Sequence, residues 1–508
     1  MSSNSGVILN RSNEVSPFFQ AIKSRNSKSM PELYSNEMNS ESAAQSVVEV
    51  ESSSSAGFSR TLRIELPRYG LLNRLYLHTR FGPHGGTASA ANFLQQIPFL
   101  GAMCIREARI MYNGATLQKT DGHTIVAELW KNSSEREKKH LQELIGAFDE
   151  SVAADMAVFT ANKYSSAIGR RGVPGGSVAH DGIQDFYCPL DYYFSAKHSG
   201  NRSLDLSVLA GPCVLEIDME TQANCFKSST GSGVTSAQMP ELLNVSAMCY
   251  LTELDVEVEK SYRALSYQAG ANPLTQLAFN TEHMVVATNV THTSADTVVD
   301  IRLNQFTGSI QKLVVYAVLT DDYATNGHRI RPGVIKEIQL KATGTNIVNQ
   351  DNLQNKEGLL ESYHGGGDFK GVGSILEGTF SATAFAAPAG GTITRAELGI
   401  AGNLIRNAVK GTEWDHNISC NPSNFYELNF KKPYDMSKVS ATGSCSFGTL
   451  SVPSLRLVVA GSGNNGQFGN GANVLGAACD IHVIAYSTSL VSYSTNSSGS
   501  TNIRQISN

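Results

Sequence analysis

Two stretches of the sequence repeat one pattern: IREARIMYNGATL at residues 105–117 and IKEIQLKATGTNI at residues 335–347. Both place an isoleucine, a base, a glutamate, an aliphatic residue, a glycine and a last aliphatic residue in one register, 230 positions apart (335 − 105). This spacing is far longer than the period of about 20 to 50 residues that marks solenoids and propellers. We therefore interpret the repeat as two whole domains of one fold, the alternative being an accidental likeness between two amphipathic strands.

A second block recurs upstream in the same order. The residues concerned are Ile64, Leu66, Arg74, Leu75 and Leu77, which match Ile301, Leu303, Lys312, Leu313 and Val315. Their offset is 237 positions at the start (301 − 64) and 238 at the end (312 − 74). Two blocks that recur in order at nearly the same shift favour duplication over chance.

Length and composition agree with two domains of ordinary size. The chain has 508 residues, above the ~250 to 300 at which a single core stops growing. Its net charge of −5 argues against a surface that neutralises phosphates along its whole length. The sequence shows neither a membrane-spanning apolar run nor a secretory signal, so we expect synthesis in the cytoplasm. The eight cysteines are scattered, and we expect most of them to be free core thiols.

Composition changes along the chain predict four segments. Residues 1–57 are rich in Ser and Asn and predict an extended or disordered N-terminal arm. Residues 58–263 and 264–490 each carry several short alternating strands, and the charged stretch at 259–263 separates them. The polar residues 491–508 predict a flexible tail.

Short strands with long Gly- and Asn-rich loops indicate an all-β fold, a sandwich or jelly roll, in each half. Two helical stretches interrupt the first half, at residues 123–130 and 135–145. Ser134 and Glu137 form a capping box for the second of them, and Gly146 ends it. We interpret both helices as insertions on an all-β frame.

One patch of the arm has the pattern of an anchor. Phe18, Phe19 and Ile22 combine a helical spacing with the bases Lys23, Arg25 and Lys28. Such a segment suits docking on another surface, with the bases contacting phosphate or lipid. The alternative is a plug that folds back under its own first domain.

The candidate enzymatic motifs do not have the required context. Gly461, Gly463 and Gly466 form a GxGxxG pattern followed by Asp480, but loop-forming residues stand where a dinucleotide site needs a helix. The chain has no Gly-Lys dipeptide, GxSxG or HExxH, and no Cys or His cluster at zinc spacing. An acidic group at Asp255, Glu257 and Glu259 is typical of a solvated strand edge. We therefore predict no catalytic, cofactor or metal site.

Several stretches carry a resemblance to a known family. They are residues 67–71 with 75–77; residues 105–114 with Trp130, Lys131 and 145–146; residues 186–194 with 206–209; Tyr250, Leu254, Asp255, Glu257 and Glu259; and, in the second half, Asn424, Phe425, 455–457 and 481–486. Together they resemble the double jelly-roll major capsid proteins of large eukaryotic DNA viruses and their smaller relatives. The chain departs from the family pattern at Asn113 and Asn421, where glycines are usual.

The resemblance implies an all-β chain of two tandem eight-stranded jelly rolls with helical and long-loop insertions. It implies a structural, non-enzymatic building block that forms homotrimeric, pseudo-hexagonal capsomers of an icosahedral virus shell. Neighbouring capsomers and minor capsid or penton proteins would be partners, and the arm would contact an inner membrane or the genome. The duplication suits this assembly, because two like domains in a trimer present six similar edges.

Two other functions remain open from the sequence. One is a minor capsid or penton-type jelly-roll protein, which would form pentamers. The other is a carbohydrate-binding tandem β-sandwich, which also uses long loops. The chain has only two tryptophans, and this favours the capsid interpretation over glycan binding.

Overall fold

The computed structural model describes residues 43–82, 94–96, 99–132, 144–146, 184–195, 203–228, 239–254, 274–291, 297–306, 308–319, 330–331, 335–342, 345–350, 426–430, 443–450, 452–459, 478–495 and 501–507. The strands are β1 Ala43–Glu51, β2 Thr61–Glu65, β3 Leu71–Phe81, β4 Leu94–Gln96, β5 Ile105–Tyr112, β6 Ala115–Thr120, β7 Gln184–Pro189, β8 Leu204–Asp205, β9 Cys213–Met219, β10 Phe226–Ser228, β11 Leu242–Leu254, β12 Leu274–Thr291, β13 Thr297–Arg302, β14 Ser309–Leu319, β15 Ile330–Arg331, β16 Ile335–Ala342, β17 Thr345–Gln350, β18 Tyr426–Asn429, β19 Cys445–Ser446, β20 Ser454–Val459, β21 Ala478–Thr495 and β22 Thr501–Ser507. The α-helices are α1 Leu100–Met103, α2 Gly122–Asn132 and α3 Gln222–Cys225, and a 3₁₀ turn spans Phe447–Thr449.

The first half, the first roll, contains two main antiparallel sheets. One has the strand order β1-β11-β3-β7, with the short β8 also pairing with β3, and the other has the order β2-β9-β5-β6. The chain crosses between the sheets several times as it advances. This is the topology of an eight-stranded jelly roll.

Eight strands of the second half, the second roll, repeat that topology, and two further strands, β15 and β22, pair with β14 and β21. Its sheets have the orders β12-β21-β14 and β13-β20-β16-β17, and β18 pairs with the free side of β14 as β7 does with β3. The short β19 pairs with the start of β14, as β8 pairs with the start of β3. The predicted tandem jelly-roll architecture is therefore confirmed.

The repeated stretch that suggested duplication carries the same irregularities in both rolls. In β5 the ladder to β9 skips Arg106, and in β16 the ladder to β20 skips Lys336. The ladder between β5 and β6 skips Leu117, and the ladder between β16 and β17 skips Ile347. The base and the last aliphatic residue of the repeat therefore occupy matching bulges. Bulges are retained within families as structural features, so these matches support descent from one ancestral roll.

The upstream repeat is equivalent in the same way. β3 carries an extra residue at Asn73, and β14 carries one at Gln311. The backbone N–H of Leu66 donates to the carbonyl of Cys213, 2.9 Å away, and that of Leu303 donates to the carbonyl of Pro453 at the same distance. Residues matched at the two sequence offsets therefore occupy equivalent positions in the two rolls.

A hairpin turn explains one glycine of the repeat. Asn113 and Gly114 join β5 to β6 with φ values of 48° and 79°. Two consecutive left-handed residues form the type I′ turn that suits the twist of a hairpin, and Asn-Gly is its preferred pair. This turn accounts for the Asn-Gly that stands where paired glycines were expected.

Alternating side chains build a separate core in each roll. In β2, Leu62 and Ile64 are buried and their neighbours are exposed, as a strand with one face on a core requires. In the second roll, Leu455 and Leu457 of β20 are buried in the same manner. The first core also extends onto the outer face of the second roll's β12-β21-β14 sheet, where it includes Ile484.

The cysteines of the described residues behave as predicted. Cys104, Cys188, Cys213, Cys225 and Cys249 are free and buried. Burial raises the pKa of the Cys104 and Cys213 thiols to about 12, because the apolar core disfavours the thiolate. These residues serve as small core side chains.

One predicted helix is confirmed as α2. Asp121 caps it, since the backbone N–H of Thr124 donates to Asp121 Oδ1 over 2.9 Å. The second predicted helix, at 135–145, lies almost entirely outside the described residues. Within the described part of the chain, no helix has the length and apolar character needed to cross a bilayer.

Two predicted segment boundaries need correction. The sequence pattern places residues 43–51 in the arm, but they form β1, which pairs with β11 from Ala43↔Leu254 to Glu51↔Ser246. Val48 and Val50 pack against the first core, while the exposed glutamates of this edge strand resemble linker composition. The first roll therefore begins before residue 58.

At the other end, the tail predicted to be flexible from residue 491 continues β21 to Thr495 and then forms β22. The two strands pair from Ser489↔Ser507 to Thr495↔Thr501. Val491, Tyr493 and Ile503 are buried in the first core, so a few apolar side chains anchor a segment whose composition is mostly polar.

Candidate functional site: the contact between the two rolls

The residues singled out in the sequence are mostly outside the described structure. Phe18, Phe19, Ile22, Lys23, Arg25 and Lys28 lie outside it, as do the acidic residues 255–259 and the glycines 461–466. Asp480 is described, and its Oδ1 accepts the backbone N–H of Asn289 at 2.8 Å. That carboxylate fastens the bulged end of β12 to β21.

A buried ion pair connects the rolls. Lys312 Nζ of β14 lies 2.9 Å from Glu128 Oε1 of α2, and both side chains are less than a tenth exposed. The ammonium group also lies 4.1 Å from the ring centroid of Tyr486. A charge removed from water requires such partners, so this contact fixes how α2 sits on the second roll.

Further polar contacts belong to the interface between the two rolls, which we call the joint. Gln118 Nε2 of β6 donates to the carbonyl of Phe279 over 2.8 Å, and Gln118 Oε1 accepts the backbone N–H of Tyr193 over 2.9 Å. Tyr112 Oη donates to Asn502 Oδ1 of β22 over 3.1 Å. The interface therefore combines apolar burial with directional bonds, which specify one relative position.

Three histidines from distant parts of the chain meet in this joint. His123 comes from α2, whereas His283 and His482 come from the neighbouring strands β12 and β21. His283 Nε2 lies 2.9 Å from His482 Nδ1 and 3.0 Å from Tyr316 Oη. Asp121 Oδ2 lies 3.4 Å from the other ring nitrogen of His283. Their wide separation in the chain conceals this group from any motif search.

The corresponding face of the first roll is open to solvent in the described part of the chain. The cross-strand pair Arg74–Tyr250 occupies the positions that Lys312 and Tyr486 occupy in the second roll. Lys312 is 7% exposed and Tyr486 4%, whereas Arg74 is exposed and Tyr250 is half-buried. Val47 of β1 adds a 50% exposed apolar side chain to this face.

A polar network rigidifies the open face. His78 Nδ1 lies 2.8 Å from Glu49 Oε1, and His78 Nε2 lies 2.9 Å from Asp185 Oδ1. Hydrogen bonds from Ser246 and then His78 lower the pKa of Glu49. Burial acts to raise the pKa of Asp185, but the bonds from Arg80 and His78 outweigh it and lower that pKa. Both carboxylates are therefore held in the ionised form.

The outer face of the other sheet carries a ladder of paired charges. Arg63 Nε lies 2.7 Å from Glu216 Oε2, and Arg109 Nη2 lies 2.6 Å from Glu216 Oε1 and 3.1 Å from Asp218 Oδ2. Two carboxylates stand side by side here, as in acid/base sites. Each is neutralised by arginine, so the arrangement suits structural support rather than proton transfer.

Comparisons with known proteins place the fold. No protein-family model and no curated protein sequence matches the chain. Solved structures do match. The VP54 protein of PBCV-1, fitted into a reconstruction of the virophage Sputnik, gives a TM-score of 0.52 at 12% identity, covering 91% of this chain and 96% of that one. The Faustovirus major capsid protein gives 0.51 at 8% identity, covering 88% and 90%.

A third match is the structure of the Sputnik virophage, with a TM-score of 0.52 at 11% identity, covering 91% of this chain and 88% of that one. These alignments cover about nine tenths of the chain and so include both rolls. The chain therefore has the double jelly-roll fold of viral major capsid proteins.

Proposed function

We propose that the chain is a major capsid protein, a non-enzymatic building block whose trimers form pseudo-hexagonal capsomers of an icosahedral virus shell. One observation carries the proposal: two rolls of identical topology meet through unlike faces. α2 and β6 of the first roll cover the outer face of the β12-β21-β14 sheet of the second. A contact between unlike faces, repeated with a rotation that closes, generates a ring.

Repetition of that contact from chain to chain would give a trimer. Each chain contributes two rolls, so three chains supply six similar positions. The open outer face of the β1-β11-β3-β7 sheet is the counterpart of the covered face in the second roll. It would receive the second roll of the next chain, with Arg74 and Tyr250 acting as Lys312 and Tyr486 do.

The open face has the composition of an interface. Tyr76 and Tyr250 pack edge to face with ring centroids 5.3 Å apart, and Tyr187 stacks on His78 at 4.5 Å. Tyrosine and arginine are enriched where proteins associate, because they combine apolar area with a polar end. The preordered network around His78 lowers the entropy lost on contact.

The arm supplies the contacts between capsomers in this proposal. Phe18, Phe19 and Ile22 would anchor it on a neighbouring capsomer or a minor capsid or penton protein, and Lys23, Arg25 and Lys28 would contact an inner membrane or the genome. The chain would be synthesised and assembled in the host cytoplasm and reside in the virion shell. A deletion must end at residue 42, because a deletion to 57 would also remove β1.

Removal of residues 1–42 should leave the trimer intact and impair shell assembly. A second variant, Phe18→Ser with Phe19→Ser in the full-length chain, should reproduce the assembly defect without shortening the arm. Particle yield by sedimentation and electron microscopy measures the effect. Normal particles from the deleted chain would contradict the role of the arm.

Native mass spectrometry with negative-stain imaging of the purified chain tests the main proposal. We expect a trimer with a hexagonal outline. A monomer at all concentrations would contradict the proposal, and a pentamer would favour the penton-type alternative.

A further inference from the structure

We propose that His123, His283 and His482 bind a divalent transition metal ion, with zinc as the reference ion, and that this ion ties the two rolls together. The side chains come from a helix of the first roll and two paired strands of the second. The inference concerns the single chain and does not depend on the proposed capsid function.

The distances fit an ion. One nitrogen from each ring lies within 4.8 Å of those from the other two. Zinc binds imidazole nitrogen at about 2.0–2.1 Å, so two ligands at a tetrahedral angle lie about 3.3 Å apart. On binding, the 2.9 Å between His283 Nε2 and His482 Nδ1 would lengthen to that value, and the separations from the His123 nitrogen, at most 4.8 Å, would shorten to it.

The centroids of the three rings are nearly equally spaced. They are 5.0, 5.2 and 5.2 Å apart, a nearly equilateral triangle. Three imidazoles that share a tetrahedral zinc ion place their centroids about 5 Å apart, given the metal–nitrogen distance. A pair of hydrogen-bonded histidines alone would not require the third ring to complete the triangle.

The surroundings supply the groups that usually support such a ligand set. Asp121 Oδ2 lies 3.4 Å from His283 Nδ1, which leaves Nε2 directed at the cluster. Two bonds from Thr124, through its backbone N–H and its hydroxyl, hold that carboxylate. A carboxylate behind a histidine ligand fixes the ring orientation and increases ligand basicity. Tyr316 Oη lies 3.0 Å from His283 Nε2, so a phenolic oxygen stands beside the cluster.

The ligand type selects the class of ion. Neutral imidazoles favour zinc, copper, nickel and cobalt over calcium or magnesium, which prefer oxygen. Because the ligands belong to both rolls, binding would fix the position of α2 on the β12-β21 pair. Removal of the ion should loosen the joint while each sandwich keeps its own core.

Titration of the full-length, untagged chain with Co²⁺ after chelator treatment tests the site, because a histidine tag would bind the same ions. We expect one equivalent bound, with the intense visible bands of four-coordinate cobalt, and displacement by Zn²⁺. Added Zn²⁺ should also raise the thermal unfolding midpoint of the chelated chain by several degrees, since an ion that binds only the folded state stabilises it.

His123→Asn and His283→Asn should each abolish the cobalt bands, whereas the control Cys445→Ser, at a free thiol of the second roll outside the cluster, should keep them. The wild-type titration decides the matter even if these variants fail to fold. A folded wild-type chain that binds neither Co²⁺ nor Zn²⁺ would overturn the proposal. Unchanged stoichiometry in folded His123→Asn and His283→Asn chains would overturn it as well.

Discussion

The two sheets that begin with β1 and β12 have the same topology but opposite environments. In the second roll the outer face is buried under the first roll, and Lys312 there has both a carboxylate and an aromatic partner. In the first roll the matching Arg74 is exposed. A basic–aromatic pair therefore stands at equivalent positions in two settings, and this difference underlies the proposal that the open face receives a partner chain.

The largest effect should come from breaking the buried pair. Glu128→Ala or Lys312→Ala should lower the free energy of unfolding by about 3–5 kcal/mol, because each leaves a buried charge without its partner. The double change Glu128→Leu with Lys312→Met should recover most of that loss. Urea unfolding monitored by circular dichroism measures both.

Arg74→Ala is the matched control in the first roll, and it should cost less than about 0.5 kcal/mol in the dissociated chain, as expected for an exposed residue. Equal losses at Arg74 and Lys312 would contradict the contrast between the two faces.

A second test concerns the shared core positions. Leu75 and Leu313 are both fully buried at equivalent places in β3 and β14. Leu75→Ala and Leu313→Ala should each cost about 3 kcal/mol, since each removes buried methylenes and leaves a cavity. Hydrogen exchange should locate each loss in its own roll. A loss that spreads equally through both rolls would mean that they do not have separate cores.

A third test addresses the open face in the assembly. Arg74→Glu should weaken the trimer by about 2 kcal/mol per contact. Arg74 is the equivalent of Lys312, which pairs with Glu128 between the rolls, so the change reverses the charge that an acidic partner would contact. Analytical ultracentrifugation measures the change in dissociation constant. Arg63→Glu, on the opposite sheet of the same roll, is the control and should leave trimer affinity unchanged.

The smallest effect is a pH dependence confined to the first roll. The pKa values of Glu49 and Asp185 are lowered in the folded chain, so their stabilisation is present above the ordinary carboxyl value of about 4 and is lost as pH falls through the lowered pKa. Both groups are partly exposed, so the difference from Glu49→Gln with Asp185→Asn should stay below about 1 kcal/mol.

Urea midpoints at neutral and acidic pH measure this difference, which should shrink towards zero at the acidic end. A difference that grows as pH falls would have the wrong sign for this network.

The sequence predicted the architecture because duplication leaves a trace that does not depend on recognising each strand. Some of the repeated residues, such as Arg106 and Lys336, occupy matching bulges. The edge strands β1 and β22 escaped prediction because pairing on a sheet edge needs few apolar side chains. Val48 and Ile503 contact the core, and most of their neighbours are polar.

The joint between the rolls could not be predicted from local patterns. Glu128 and Lys312 are 184 positions apart, and His283 and His482 are 199 apart. No periodicity connects residues at such distances, and a lone histidine is usually a surface or core residue. Only the packing of α2 on the second roll brings these groups together.

The most direct test of the duplicated interface is a cryo-EM reconstruction of the purified assembly. We predict that the outer face of the β1-β11-β3-β7 sheet is covered by the second roll of a neighbouring chain, with an acidic partner at Arg74. A reconstruction in which this face, including Arg74 and Tyr250, points to solvent would contradict the account.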